Sequence, residues 1–158
     1  SAGGSSVRSR VGHVFMKQAM AEHDAPFGGE LSGHFYFRDN FYADSGAMAF
    51  AAVVSAIAGS EQTMSSQIAP HRSYCQSGEI NFETSDKDEA MAKLVSAYPD
   101  AEVDRLDGVT VDCGVWWCNV RGSNTEPLLR LNLEASTEEE VLARVDEVSQ
   151  FLGTRVDH

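Results

Sequence analysis

The sequence has few cations, no long apolar run and no paired cysteine motif. It contains 12 lysines and arginines against 24 aspartates and glutamates, so its formal net charge is -12 at pH 7. Such a charge opposes general binding to nucleic acids and to anionic membranes, because both present negative phosphates. We therefore predict neither nucleic acid nor membrane as a partner, and any anion site must be local.

The missing apolar runs and cysteine pairs narrow the class of protein further. No stretch of about 18 apolar residues is present, and the N-terminal SAGGSSVRSR lacks the apolar segment of a signal peptide. Cys75, Cys113 and Cys118 are odd in number and form no C-x-x-C pair, which argues against a disulfide framework and a zinc site. We expect a soluble, cytoplasmic protein with reduced thiols and no metal ligands.

The first part of the chain predicts two helices around a segment rich in glycine and aromatic residues. Apolar spacing over residues 11–20 predicts a short helix, and residues 27–46 read as strand, loop and strand. The apolar stretch GAMAFAAVVSAIAG predicts a helix capped by Asp44 or Ser45 and ending near Gly59. A helix of that composition is expected to be buried on most sides.

The second part of the chain predicts a small two-layer domain. A polar segment over residues 63–74 reads as a linker, so we predict units at 1–62 and 75–158. A strand, a helix capped by Ser or Asp, three further strands and a final amphipathic helix follow in the order β-α-β-β-β-α. The predicted inner face of the final helix is Val141, Leu142, Val145, Val148 and Leu152.

The loop RGSNTEP, residues 121–127, concentrates groups that suit an anion. Arg121 offers a planar fork that matches two phosphate oxygens, and Ser123 and Thr125 add hydroxyl donors. Backbone N-H groups around Asn124 would complete a nest for the same anion. Together these groups would bind phosphate without a metal.

A plain turn between two strands explains the same loop equally well, because Gly, Ser, Asn, Thr and Pro are turn residues. No Gly-Lys-Ser/Thr opens a helix here, so the loop is not a nucleotide-binding Walker loop. Arg130, on the following strand, either reinforces the anion site or faces solvent.

A second dense stretch, GGELSGH at residues 28–34, offers a carboxylate, a hydroxyl and an imidazole. If it runs extended, Glu30, Ser32 and His34 point to one side and suit sugar hydroxyls. His34 would also be able to move a proton at an ester oxygen. The alternative is a glycine turn in which Glu30 pairs with an arginine and His34 caps a strand. His13 in RVGH is a weaker signal.

Together, GGELSGH with the following FRDNFYADSG, and WWCNVRGSNTEPLLRLNLEA, resemble the alpha-D-phosphohexomutase family of phosphomannomutases and phosphoglucomutases. The similarity covers nearly the whole chain. The resemblance implies four domains around a cleft, of which this chain holds the later part of the third, α/β domain over 1–62. Residues 75–158 would be the fourth domain, whose β-α-β-β-β-α arrangement resembles the TATA-binding protein.

The resemblance also implies roles for particular residues. Glu30 and Ser32 would contact sugar hydroxyls, His34 would lie near the reacting end as a candidate proton relay, and His13 would lie at the cleft wall. The phosphate that is not being transferred would be held by residues of RGSNTEP, namely Arg121, Ser123, Asn124 and Thr125. The glutamate and serine do not distinguish mannose from glucose or glucosamine.

Family chemistry interconverts hexose 1-phosphate and hexose 6-phosphate through a phosphoserine and a hexose 1,6-bisphosphate, with Mg2+ as cofactor. The family's nucleophile loop, T-A-S-H-N-P, and magnesium loop, D-G-D-G-D-R, are absent from these residues. The chain is therefore expected to be the C-terminal portion of an isomerase, inactive without N-terminal domains, with mannose or glucose phosphates as ligands. The alternatives are a stand-alone, non-catalytic phosphosugar-binding module and a structural interaction domain in which RGSNTEP is only a turn.

Overall fold

A computed structural model describes residues 3–123 and 126–156. The chain divides into two compact units, the first ending at Pro70 and the second beginning at His71. The sequence predicts a linker over residues 63–74, and the structure has a five-residue helix within that segment. The predicted limits of the two domains stay a prediction.

The first unit combines helices with a short antiparallel sheet. Its elements are α1 at His13–Glu22, β1 at Phe27–Gly29, β2 at Phe35–Phe37, β3 at Ala43–Asp44, α2 at Gly46–Ile57 and α3 at Met64–Ile68. The strands are ordered β1-β2-β3, with Gly28 opposite Tyr36. A Cβ on Gly28 would lie 2.7 Å from Met20 Sδ, so the glycine lets α1 pack directly on β1. Met20 and Tyr36 are the buried residues at this contact.

Helix α2 begins at the predicted cap but differs from the sequence prediction in its burial. The Ser45 hydroxyl accepts from the Met48 N-H at 3.2 Å, whereas the Asp44 carboxylate accepts from the Phe35 N-H at 2.8 Å. No residue of α2 is buried, and Phe50 is 72% exposed. The prediction of burial on most sides is therefore wrong for the described part of the chain, because its short sheet supplies no layer that covers the helix.

The second unit is one antiparallel sheet with two helices. Its elements are β4 at Cys75–Gln76, β5 at Ile80–Glu83, α4 at Lys87–Ala97, β6 at Glu102–Asp104, β7 at Val109–Asp112, β8 at Trp116–Gly122, β9 at Leu128–Ala135, α5 at Glu138–Leu152 and β10 at Thr154–Val156. The strand order is β10-β5-β9-β8-β7-β6, and β4 pairs with β9. The predicted β-α-β-β-β-α order and the mixed α/β class are confirmed, and β4, β6 and β10 are additional short strands.

Alternation on β8 and on β9 from Leu129 onward separates a core face from an open face. Leu129, Leu131 and Leu133 are buried in a core shared with both helices, and each fully buried leucine stabilises the fold by roughly 1.5–3 kcal/mol. The alternate positions of these strands include Arg121 and Arg130, which are direct cross-strand neighbours. The core therefore fixes which face of the sheet carries the two arginines.

Both helices of the second unit begin at a side-chain cap, and Asp86 at α4 agrees with the predicted Ser or Asp cap. The Asp86 carboxylate accepts from the Glu89 N-H at 2.9 Å, and the Thr137 hydroxyl accepts from the Glu140 N-H at 3.2 Å. Four of the five residues predicted for the inner face of α5 are buried, namely Val141, Val145, Val148 and Leu152. Leu142 is 63% exposed, so its assignment to that face is wrong. It lies about 100° around the helix from Val141, beyond the buried stripe.

Candidate functional site

The stretch GGELSGH forms the turn of the β1-β2 hairpin. The Glu30 N-H donates to the His34 carbonyl at 3.0 Å, and the Gly33 N-H donates to the Glu30 carbonyl at 3.0 Å. Gly33 has φ of +84°, a conformation that favours glycine. The extended run on which the first interpretation depends is therefore absent from this stretch, and the structure has the glycine turn of the alternative interpretation.

The carboxylate of Glu30 is committed to two internal donors. Its Oε1 accepts from the Gly12 N-H at 2.8 Å, and its Oε2 accepts from the Tyr36 hydroxyl at 2.9 Å. The side chain is only 7% exposed. These partners are a backbone amide and a phenol, not the arginine that the alternative reading proposes. Because a carboxylate has about four acceptor positions, Glu30 retains capacity for further donors.

The turn brings together four residues that the sequence singles out separately, which with Tyr36 we call the histidine cluster: His13, Glu30, Ser32, His34 and Tyr36. His13 Nδ1 lies 2.5 Å from the Tyr36 hydroxyl oxygen, and His34 Nδ1 lies 2.8 Å from the Ser32 hydroxyl oxygen. His34 Nδ1 is also 3.7 Å from Glu30 Oε2. The two imidazole rings meet edge to face with centroids 4.9 Å apart.

Tyr36 is the member of this cluster that the sequence reading missed. It is the central residue of β2 and is fully buried. Burial raises the pKa of Tyr36 to about 12, and the hydrogen bond to Glu30 acts in the same direction. The signal was present in the sequence, because a tyrosine at an inward position of a short apolar strand requires a partner for its hydroxyl.

In the second unit, two arginines and two carboxylates meet beside RGSNTEP. Arg121 Nη2 lies 3.4 Å from Glu79 Oε2, and Arg130 Nη1 lies 3.2 Å from Glu79 Oε1. Arg130 Nη2 lies 3.3 Å from Glu126 Oε2. The arginine side chains are 17% and 27% exposed. Arg130 therefore joins the same charged group as Arg121 rather than simply facing solvent.

Lys87 adds a third cation to this group, which we call the arginine cluster: Glu79, Lys87, Arg121, Glu126 and Arg130. Its ammonium donates to the Glu126 carbonyl at 3.1 Å. Lys87 Cδ lies 3.5 Å from the position that a Cβ would take on Gly122. The sequence does not single out Lys87, because the approach of its side chain to the RGSNTEP loop depends on how α4 packs.

The structure describes part of the RGSNTEP loop. The Ser123 N-H donates to the Leu128 carbonyl at 2.8 Å, which continues the pairing of β8 and β9 beyond Gly122. Asn124 and Thr125 lie outside the described residues. Of the residues that the sequence connects with an anion site, the structure describes Arg121, Ser123 and Arg130, and it adds Lys87 beside them.

The described residues offer no group of three or more His, Cys, Asp or Glu side chains that would hold a metal ion. They therefore do not fit the Mg2+ that the family resemblance implies. Within the same residues, no helix is long and apolar enough to cross a membrane. The cysteines are free thiols, and burial raises the pKa of Cys118 to about 12.

Comparisons with known proteins agree with the family that the two motifs predict. Residues 1–74 match the model of the phosphoglucomutase/phosphomannomutase alpha/beta/alpha domain III, and residues 79–150 match that of the C-terminal domain. A phosphomannomutase of Methanocaldococcus jannaschii is 41% identical over 96% of this chain and 34% of its own length. A protein of Xanthomonas campestris pv. campestris with the name "Phosphohexose mutases" is 39% identical over 96% of this chain and 35% of its own length.

A solved structure gives the same result at the level of fold. The crystal structure of a phosphoglucomutase/phosphomannomutase family protein from Burkholderia thailandensis superposes with a TM-score of 0.78 at 26% identity, covering 94% of this chain and 32% of that one. The chain belongs to the phosphoglucomutase/phosphomannomutase family and corresponds to its C-terminal part, as the two motifs predict. It spans about a third of the length of the curated relatives it matches.

Proposed function

We propose that this chain supplies sugar and phosphate recognition to a phosphohexomutase that interconverts hexose 1-phosphate and hexose 6-phosphate. The observation that carries the proposal is the arginine cluster, which collects Lys87, Arg121 and Arg130 in a chain of net charge -12. Such a concentration of donors on an acidic protein suits a phosphate held by charge-assisted hydrogen bonds. Mannose and glucose phosphates are the proposed ligands.

The arginine cluster would bind the phosphate that is not transferred. The Arg121 guanidinium has five N-H donors, and the contact with Glu79 uses only part of that set. Ser123, Asn124 and Thr125 are proposed to complete the site, as the family pattern implies. A bisphosphorylated intermediate that turns around needs one fixed anchor for either phosphate, and fixing the substrate is a large part of phosphoryl-transfer catalysis.

The histidine cluster would recognise the sugar. Ser32 and His34 offer groups that both donate and accept hydrogen bonds, and they are exposed and partly exposed respectively. Glu30 is mostly buried, so we assign it first to holding the cluster in place and second to a sugar hydroxyl. His34 remains the proposed proton relay because it alone of the two histidines contacts a hydroxyl of the turn.

The chain by itself is proposed to be inactive, because it contains neither a nucleophile loop nor a magnesium loop of the family type. Incubation with mannose 1-phosphate and hexose 1,6-bisphosphate, followed by phosphorus NMR, should show no mannose 6-phosphate. Formation of that product by the purified chain would contradict this part of the proposal. It would require a nucleophile that these residues supply in another way.

Calorimetric titration with mannose 6-phosphate and glucose 1-phosphate tests the phosphate site. Arg121→Ala removes a planar charged donor, and we expect binding at least about tenfold weaker, since a hydrogen bond to a charged group contributes roughly 1.5–3 kcal/mol. Arg155→Ala is the matched control, because Arg155 is an exposed arginine on β10 of the same sheet. Equal affinities for the wild type and Arg121→Ala would show that RGSNTEP is only a turn.

A further inference from the structure

We infer that Tyr36 is a positioning residue that holds the neutral His13 ring in the tautomer protonated at Nδ1, which leaves Nε2 as a hydrogen-bond acceptor for a ligand hydroxyl. The tautomer follows from contacts within the histidine cluster alone. The statement about a ligand rests on the proposed function. Neither depends on a metal or on residues outside the first unit.

The proton count at the Tyr36 hydroxyl fixes the direction of each hydrogen bond. The phenol has one proton and two close partners, Glu30 Oε2 at 2.9 Å and His13 Nδ1 at 2.5 Å. An ionised carboxylate only accepts, so the phenol must donate to Glu30. The phenol oxygen then accepts from His13, and Nδ1 must carry the proton. The opposite direction would leave two unprotonated oxygens facing each other.

Burial makes this arrangement persistent. Tyr36 is fully buried and the Glu30 side chain is nearly so, which limits replacement of their hydrogen bonds by water. The pKa of Tyr36, raised to about 12, keeps the phenol protonated at neutral pH. The proton that Tyr36 donates to Glu30 is therefore always present under those conditions.

The same carboxylate also fixes the backbone beside His13. Glu30 Oε1 accepts from the N-H of Gly12, the residue immediately before His13. Gly12 has φ of +126°, a conformation that side-chain-bearing residues rarely adopt. Glu30 thus holds residue 12 directly and the ring of residue 13 through Tyr36. These two hydrogen bonds explain why the turn contains a buried carboxylate, although its sequence resembles a ligand-binding loop.

The two histidines consequently differ although their rings are adjacent. His34 Nδ1 contacts the Ser32 hydroxyl, which can either donate or accept, so this bond does not select a tautomer. The tautomer of His13 is selected because the single proton of the Tyr36 hydroxyl is already donated to Glu30, so that Nδ1 of His13 must supply its own proton. We therefore assign His13 to orienting a sugar hydroxyl through Nε2. The proposed proton relay stays with His34, whose hydrogen bond to Ser32 leaves its tautomer open.

Nitrogen NMR of the 158-residue chain labelled at its histidines tests the tautomer without any ligand. Long-range proton-nitrogen correlations distinguish a protonated from an unprotonated ring nitrogen, and His13→Gln identifies the signals of His13. We expect protonation at Nδ1 in the wild type and a shift toward Nε2 in Tyr36→Phe. Tyr42→Phe, which removes another phenol of the same unit, should leave His13 unchanged.

Protonation of neutral His13 at Nε2 in the wild type would overturn the inference, as would an unchanged Nδ1 tautomer in a folded Tyr36→Phe. If Tyr36→Phe does not fold, the wild-type spectrum decides alone.

A titration with mannose 6-phosphate tests the consequence for binding. We expect Tyr36→Phe to bind about two- to tenfold more weakly than the wild type, the effect of losing one hydrogen bond between a ligand hydroxyl and a neutral ring nitrogen. Equal affinity would contradict a positioning role for Tyr36. A wild-type chain that binds no hexose phosphate would contradict the proposed function instead, and the tautomer measurement would still decide the present inference.

Discussion

Glu79 sets the charge available to an anion at the arginine cluster. It bridges Arg121 and Arg130, which stand opposite each other on neighbouring strands and would otherwise repel. The bridge relieves that repulsion. It also places a negative charge where phosphate would bind, so the residue that orders the arginines competes with the ligand.

Glu79→Gln tests the competition. Glu79 uses a different oxygen for each arginine, so the single amide oxygen of glutamine keeps one of the two contacts, while the competing charge is removed. We expect phosphate ligands to bind about two- to fivefold more tightly, a modest gain because the site is partly exposed and screened by salt. Calorimetric titration at low and high salt provides the measurement.

Glu83→Gln is the control, because it removes a carboxylate from β5 outside the cluster. Weaker binding in Glu79→Gln would mean that the charge on Glu79 is required to hold the arginines, and that it does not compete with the ligand.

At the residue scale, sequence reasoning found the functional side chains but not the residues that hold them in place. His13, Glu30, Ser32, His34 and Arg121 carry recognisable functional groups, so composition and spacing single them out. The missed residues become relevant only through pairings distant in sequence. Tyr36 reaches a helix start 23 residues away, and Glu79 reaches a strand 42 residues away. Such contacts depend on register and helix packing, which a local pattern does not contain.

The elements that sequence reasoning predicted well are those defined by local chemistry. Caps at Ser45 and Asp86 begin α2 and α4 as predicted, and Thr137 caps α5 in the same way, because a cap hydrogen bond joins residues three apart. The strands that the sequence did not predict are β4, β6 and β10. Each is two or three residues long and is defined by its pairing with a neighbouring strand, which a local pattern does not contain. The sequence left GGELSGH open between an extended run and a glycine turn, because its alternating groups also fit a strand.

Helix α2 is the element whose environment contradicts its composition. It carries an exposed apolar face on which Phe50 and Val54 are neighbours at i and i+4. Exposed apolar surface of this kind promotes association. We therefore expect the chain to self-associate, with an apparent mass that rises with concentration in size-exclusion chromatography.

Phe50→Asp with Val54→Asp should shift the chain toward the monomer. Leu142→Asp is the matched control, since it changes a single exposed leucine on α5. A wild-type chain that elutes as a clean monomer at every concentration would contradict the prediction. The same result in the control as in the double variant would show that added charge, not loss of the α2 face, is responsible.

At the scale of the whole molecule, the chain carries recognition chemistry in both compact units. The histidine cluster lies wholly in the unit that ends at Pro70, and the arginine cluster lies wholly in the unit that begins at His71. Family membership was predictable from two motifs because each is a run of contiguous residues. The activity of the full-length enzyme remains a proposal, since the chain spans about a third of its curated relatives.

The most direct test of the phosphate site follows the backbone amide signals of the nitrogen-labelled chain during titration with mannose 6-phosphate. The proposed function predicts saturable shifts of Lys87, Gly122 and Ser123, with smaller shifts at Ser32 and His34. Mannose without phosphate should leave the first three signals unchanged. Saturable binding that moves none of the signals around Arg121, or no binding at all, would contradict the assignment of RGSNTEP as a phosphate-binding loop.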